Sequence, residues 1–297
     1  MKRIYHIFSK GEDAKDFVIN IRDKILAVNR IARCVYRTGV GMIAFSVEDT
    51  HVHFIICSTL EEALAFMDLY SAFTKHHIAK RGTRSDADLH MDIYEVADRQ
   101  YLKNLGAYVA VQATKDHQPL LWTDNPFSSA PLYFRTDKVI PIWRVDRYGS
   151  VKDPVPFKEL TIRDRERILC SRDSLPADWL VCNDFILPSN YVDTVMFEDI
   201  YKTHNAYRVF CASISDKNDA VAGKMAEAHG INLNEDEMRE ACNNLCRDRF
   251  GTSDVRKLDV DRRLVLARMI RRKYHAPIPQ IARRVHLHKD ELIKYLQ

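Results

Sequence analysis

Short apolar runs bounded by polar residues mark Ile4–Ser9, Gly41–Val47, His51–Ser58 and Met91–Val96 as strands. A further short run at Cys34–Tyr36 reads the same way. Between them lie longer stretches with helical periodicity. Phe17, Ile21, Ile25 and Val28 place a helix at about Asp13–Arg30, and others cover about Leu60–Lys80 and Arg99–Thr114. The resulting β-α-β-β-α-β-α order predicts an α+β fold, an antiparallel sheet carrying helices in the ferredoxin-like manner. Residues 115–160 are rich in proline and poor in periodicity, which predicts connecting structure. A helical region is expected over about Ile162–Ser213, a polar linker at Ser215–Asn218, and helices from about Asp219 onward. The predicted plan is thus a domain at 1–135, a mostly helical extension or connector at 136–215 and an all-α region at 216–297.

Composition adds exclusions. The chain has 297 residues, 46% hydrophobic and 29% charged, which suits about two globular domains. No apolar run approaches the ~18 residues of a membrane helix, and Met1–His6 does not open a signal peptide, so no membrane partner is expected. Seven scattered cysteines predict ordinary thiols in a reducing cytoplasm. Cys242 and Cys246, four apart, have no second pair to complete a metal site. The net charge of +4 hides an asymmetry: Arg256–Gln297 holds 12 Lys/Arg and four Asp/Glu, a net +8, so the preceding residues carry −4. A cationic tail on an acidic-leaning body predicts an anionic partner, nucleic acid first.

The sharpest local pattern is His51-Val52-His53-Phe54-Ile55-Ile56-Cys57. Residues two apart on a strand share a face, so the two imidazoles make half of a divalent-metal site. The same pattern also fits two ordinary histidines. On the helix at 99–114, Tyr108 and Gln112 lie one turn apart on one face. A tyrosine oxygen can attack a phosphodiester, and an amide oxygen can complete a His-His-oxygen metal set. Plain packing of Tyr108 with Leu105 and Val109 is the alternative.

These residues resemble the single-tyrosine HUH transposases, in particular the REP-associated tyrosine transposases of bacteria, relatives of the insertion sequence 200 and 605 group. Thr50–Ile56 is similar to the family's His-hydrophobic-His signature, and Asp98–Gln112 to its nucleophile helix. Trp122–Ser129 is similar to its Trp-Pro-x-Ser-Ser turn. REP-associated members usually show Asn-Pro where this chain has Gln112-Ala113; glutamine there is typical of the insertion-sequence branch. The resemblance implies a metal-dependent single-stranded DNA endonuclease and strand transferase acting on hairpin-forming repeats. Tyr108 would form a 5′-phosphotyrosine, with Mg²⁺ or Mn²⁺ held by His51, His53 and Gln112. Such a protein would be bacterial, nucleoid-associated, and a monomer or homodimer. Tyr101 and Tyr94 are the reserve nucleophiles.

In the basic tail, Pro279 suits a helix start, Ile281, Ala282 and Val285 form one apolar stripe, and Leu292, Ile293 and Leu296 form another. That layout predicts a helix-turn-helix behind a long basic helix and resembles the C-terminal helix-turn-helix of the replication initiator DnaA. Arg271, Arg272, Lys273, Arg283, Arg284, Lys289 and Lys294 are its candidate DNA contacts, mainly to phosphates. His286-x-His288 falls in the turn and offers no shared face for a metal. Gly39-x-Gly41-x-x-Ala44 opens no helix, so it is not a dinucleotide fingerprint. Two other readings remain: a sequence-specific DNA-binding regulator with an inactive HUH scaffold, and a rolling-circle replication initiator or relaxase, which would more often use three histidines.

Overall fold

The computed structural model describes residues 1–9, 17–82, 89, 91–112, 122–137, 140–146, 148–214, 233–274 and 276–296. The chain is α+β and divides into two compact units, Met1–Met91 with Val96–Gly223 and Asp92–Glu95 with Lys224–Gln297. Among the described residues no helix is long and apolar enough to cross a membrane.

The first elements are β1 (Arg3–Ser9), α1 (Ile21–Thr38), β2 (Gly41–Val47), β3 (Val52–Ser58), α2 (Leu60–Lys80), β4 (Met91–Glu95) and α3 (Arg99–Val111). Local chemistry sets their ends. Asn20 accepts from the Asp23 amide at the start of α1, and Gly39 closes it at φ 71°. Thr59 and Glu62 form a reciprocal capping box on α2, and Asp98 caps α3 by accepting from the Gln100 amide.

The strands form one sheet in the order β2-β3-β1-β4. β1 and β3 pair antiparallel from Arg3 opposite Ser58 to Phe8 opposite His53. β2 and β3 pair from Gly41 opposite Cys57 to Val47 opposite Val52. Alternation along β3 then divides the sheet's two faces. On one face Phe54 meets Phe66 and Tyr70 of α2 at ring separations of 5.2 and 4.9 Å. Tyr70 Oη donates to the Ala27 carbonyl of α1 at 3.3 Å, tying the two helices together. On the other face His53 meets Tyr108 of α3.

An edge strand exposes unpaired backbone groups, and β2 has its edge covered. Val47 N donates to the Phe127 carbonyl, Phe45 N to Ser129 Oγ and Ser129 N to the Phe45 carbonyl, all at 2.9–3.0 Å. The Phe127–Ser129 end of the Trp122–Ser129 segment is therefore stitched along β2. Further along, Tyr133 Oη donates to the Ile43 carbonyl at 2.8 Å, and Asp193 N to the Met42 carbonyl at 2.7 Å.

Two expectations need correction. Cys34–Tyr36 is not a strand but the last turns of α1, because Ala27, Ile31, Cys34 and Val35 continue one buried stripe at helical spacing. Residues 162–213 are not purely helical. After α4 (Pro141–Arg144) comes β5 (Val155–Pro156), then α5 (Ile162–Leu169), β6 (Leu180–Cys182) and β7 (Phe185–Ile186), followed by α6 (Thr194–Tyr201) and α7 (His204–Ser213). The three strands form a second small antiparallel sheet in the order β5-β6-β7. The described residues of 136–215 belong to the first unit and pack against its α1. Asn29 of α1 donates to the carbonyls of Ile168 and Asp184 at 3.0 and 2.7 Å and accepts from Ile186 N at 2.9 Å. Residues 113–114 of the expected third helix, the linker at 215–218 and the helical stretch expected over 219–232 lie outside the described residues.

In the second unit, α8 (Glu235–Phe250), α9 (Val260–Tyr274), α10 (Ile278–Val285) and α11 (Lys289–Leu296) follow one another. Met238, Cys242 and Cys246 of α8 are buried with Leu266 and Ile270 of α9, Ile281 and Val285 of α10, and Leu292 of α11. Cys242 and Cys246 thus serve as small core residues. His286, at φ 53°, ends α10, and His286–His288 make a three-residue turn into α11. Of the second expected apolar stripe only Leu292 is buried; Ile293 and Leu296 are half-buried.

Candidate active site

Because β3 begins at Val52, His51 sits at its threshold and His53 is its second residue. Their rings are 5.1 Å apart and nearly perpendicular, at 89°. His53 is in turn 5.4 Å from the ring of Tyr108, also perpendicular. The Gln112 amide, at the C-terminal end of α3, lies against the Tyr108 phenol. So the four residues singled out in the sequence come together on the α3 face of the sheet, in the chain of contacts His51–His53–Tyr108–Gln112. Tyr101 is buried earlier on the same helix.

Burial raises the Tyr108 pKa above the ordinary phenol value, and the neighbouring Gln112 amide partly offsets this. Among the described residues the buried Gln112 Nε2 makes no hydrogen bond. An amide this close to a phenol acts as a dipole even without a linear bond. Its O and N positions can also be exchanged without changing its shape.

Two residues join the site that the sequence did not single out. His6 of β1 is fully buried, and its Nε2 lies 3.1 Å from His53 Nδ1. The rings of His6, Phe8 and His53 stack on one another. Burial lowers the His6 pKa to about 3, so it is neutral at ordinary pH. Glu48, buried in the β2–β3 turn, accepts from Ser46 Oγ, and Ser46 lies directly opposite His53 in the sheet. No signal within residues 1–9 marks His6; only the β1–β3 pairing brings it to His53.

The donor set fits a divalent ion. His53 uses Nδ1 toward His6, and His51 uses Nδ1 toward Thr50 Oγ1 at 3.1 Å, so a metal would take Nε2 of each. Binding at His53 Nε2 requires the tautomer in which Nδ1–H donates to His6 Nε2. Two imidazoles and an amide oxygen suit a borderline or hard divalent cation. Among the described residues no three His, Cys, Asp or Glu side chains gather as a metal site, a set that leaves amide ligands out.

No protein-family model matches the chain, and no curated protein or solved structure matches it either.

The candidate DNA-contacting residues of the tail divide into two groups. Arg272, Lys273, Arg283, Lys289 and Lys294 are exposed. Arg271 and Arg284 have structural work instead. Arg271 Nη1 donates to the Ala276 carbonyl at 2.9 Å, bracing the turn after α9. Arg284 Nη2 donates to the Glu235 carbonyl at 2.7 Å and pairs with its carboxylate, docking α10 on the start of α8. Arg283 also reaches Glu235, at 3.5 Å, but stays 70% exposed. The Glu235 carboxylate at the N-terminus of α8 thus removes part of the positive field that the sequence count implied.

Proposed function

We propose that the protein is a single-strand DNA endonuclease and strand transferase of the HUH type, with Tyr108 as nucleophile. The observation that carries this reading is the convergence of His51, His53, Tyr108 and Gln112, from two elements about fifty residues apart, on one face of the sheet. A β-α-β-β-α-β order with sheet order β2-β3-β1-β4 supports a ferredoxin-like HUH domain. Stitching of Phe127–Ser129 to β2 gives the end of that motif a structural reason.

In this reading Tyr108 Oη attacks the phosphorus of a DNA phosphodiester. The new Oη–P bond forms as the P–O3′ bond breaks. The phenol proton leaves, and the departing 3′-oxygen takes up a proton to become a 3′-hydroxyl. The product is a 5′-phosphotyrosine, and attack by a 3′-hydroxyl on it reverses the step without an external energy source. Mg²⁺ or Mn²⁺ held by His51, His53 and Gln112 would polarise the scissile phosphate. Neutral His6 fixes the His53 ring through its Nδ1, and Gln112 lowers the energy of the Tyr108 phenolate. The exposed cations of α9, α10 and α11 would hold the duplex part of a hairpin by its phosphates, with α10 and α11 acting as a helix-turn-helix.

The test is incubation of the full chain with labelled single-stranded hairpin DNA and Mn²⁺, followed by a denaturing gel. A protein-linked product that disappears in Tyr108→Phe and survives in Tyr101→Phe is expected. Binding without cleavage or adduct would instead make the protein a DNA-binding regulator.

A further inference from the structure

On the opposite face of the sheet from His53 and Tyr108, a cavity of about 260 Å³ opens between α1, α2 and the segment after α5. Arg30, Arg33 and Arg37 line it from successive turns of α1, with Phe73 from α2 and Cys170, Ser171 and Asp173 from the far side. Spacings of three and four residues put the three guanidinium groups on one face of the helix.

Their charges are unevenly answered. Arg33 is fully committed: Nε and Nη2 donate to Asp173 Oδ2, Nη1 donates to the Leu169 carbonyl at 3.0 Å, and the guanidinium lies 3.8 Å from the centre of the Phe73 ring. Arg37 is 3.9 Å from the same Asp173 oxygen and half-exposed at the cavity mouth. Arg30 is different. It is 4% exposed, and its Nε and Nη2 have no hydrogen-bond partner among the described residues. Its surroundings are the rings of Phe17 and Tyr70 at about 6 Å, with the Tyr70 phenol against the guanidinium, and among the described residues no carboxylate pairs with it.

The other charges facing the cavity do not compensate. His77 of α2 pairs with Asp23 at 2.8 Å, and Asp23 pairs with Arg81 at 2.5 Å, so that carboxylate is already answered. The one charge of Asp173 balances one of the three arginines. Among the described residues two positive charges are left over, one of them on a buried guanidinium. A buried cation without a counter-ion is costly unless something binds it.

We infer that this cavity is an anion site that takes the dianionic phosphoryl group of a phosphate monoester, with Arg30 as the buried anchor, Arg37 as the cation at the mouth and Arg33 as the fixed wall. A phosphate monoester near neutral pH carries close to two charges and three acceptor oxygens, matching the uncompensated charge and the guanidinium donors. A carboxylate would balance half of it. The phosphorylated end of a DNA strand and a free small phosphate both supply such a group, and the chemistry at Arg30 is the same for both. The site is separate from the proposed cleavage centre and does not depend on it.

The test uses the full chain and inorganic phosphate as probe, followed by isothermal calorimetry at fixed ionic strength. Saturable binding is expected, with affinity falling at least tenfold in Arg30→Met and in Arg37→Ala. Arg37→Ala changes a half-exposed side chain and keeps the fold, so it decides the matter if Arg30→Met is unstable. Absence of saturable binding, or binding unchanged in Arg37→Ala, overturns the inference. Two oligonucleotides of one sequence, with and without a 5′-phosphate, then identify the source. A preference for the phosphorylated strand that is lost in Arg37→Ala assigns a DNA end; equal binding of the two strands beside saturable inorganic phosphate assigns a free phosphate compound.

Discussion

His6 Nε2 stands 3.1 Å from His53 Nδ1 across the β1–β3 pairing, and both rings are buried. A histidine held through one nitrogen presents the other in a fixed direction, which is how the partner of a metal ligand raises affinity. Replacing His6 by Phe keeps the stacked ring volume and removes the hydrogen bond. Mn²⁺ affinity of the full chain, measured by calorimetry, is then expected to fall about 10–100-fold, with the circular dichroism spectrum unchanged. Unaltered affinity would leave His6 a packing residue only.

The same histidine gives a stability signature in acid. Its folded pKa is lowered to about 3, against an ordinary 6.5 in the unfolded chain. The unfolded state therefore binds the extra proton first, and the stabilisation is complete above pH 6.5 and lost as pH falls toward 3. One such group contributes at most about 1.4 kcal/mol per pH unit. His77, also lowered by burial, adds to the slope. Urea midpoints between pH 7 and 5 should decline in the natural protein and decline less in His6→Phe.

Alkali acts through the phenols. Burial raises the pKa values of Tyr70, Tyr133, Tyr191, Tyr201 and Tyr207. Each is neutral in the fold and ionises near pH 10 once released, so stability holds below about 10 and falls above it. In an absorbance titration at about 295 nm, these phenols should ionise only together with loss of helical circular dichroism. Tyr108, raised by burial as well, should give adduct formation that climbs with pH across the neutral range.

Gly106 in the middle of α3 inverts the usual helix rule. Glycine to alanine in a helix interior normally stabilises by about 1 kcal/mol. Here an added Cβ would lie 2.6 Å from Tyr201 Oη and 3.3 Å from Phe197. Tyr201 Oη also donates to the Lys103 carbonyl at 2.6 Å, holding α6 against α3. Gly106→Ala is expected to destabilise by about 1–3 kcal/mol, and by less in a Tyr201→Phe background where the clashing oxygen is gone. Denaturant titrations of the four variants in this cycle measure the coupling.

The basic tail should split by role. Arg272→Ala and Lys273→Ala should leave unfolding unchanged and reduce the salt dependence of hairpin-DNA binding by about one unit of log–log slope each. Arg284→Ala should instead lower the melting temperature through loss of its bonds to Glu235. Equal salt effects from all three would mean that Arg284 leaves Glu235 when DNA binds.

Sequence by itself determined the local structure. Helix Leu60–Lys80 and strand Gly41–Val47 run where the pattern put them, because a 3.6- or two-residue period is written within the segment that folds. It also marked His51 with His53 and Tyr108 with Gln112, since each pair lies within one local repeat. Local pattern failed at Cys34–Tyr36, where three strand-like residues were outweighed by a longer helical stripe, and at residues 155–186, whose strands have only two or three residues each.

Tertiary structure alone decided the rest. His6 meets His53, 47 residues away, through strand pairing that no local repeat encodes. Arg284 is committed by Glu235, 49 residues earlier, and Arg33 by Asp173, 140 residues later. Whether a cation is free to meet a ligand depends on which distant carboxylate the fold lays beside it, and among the described residues none pairs with the buried Arg30.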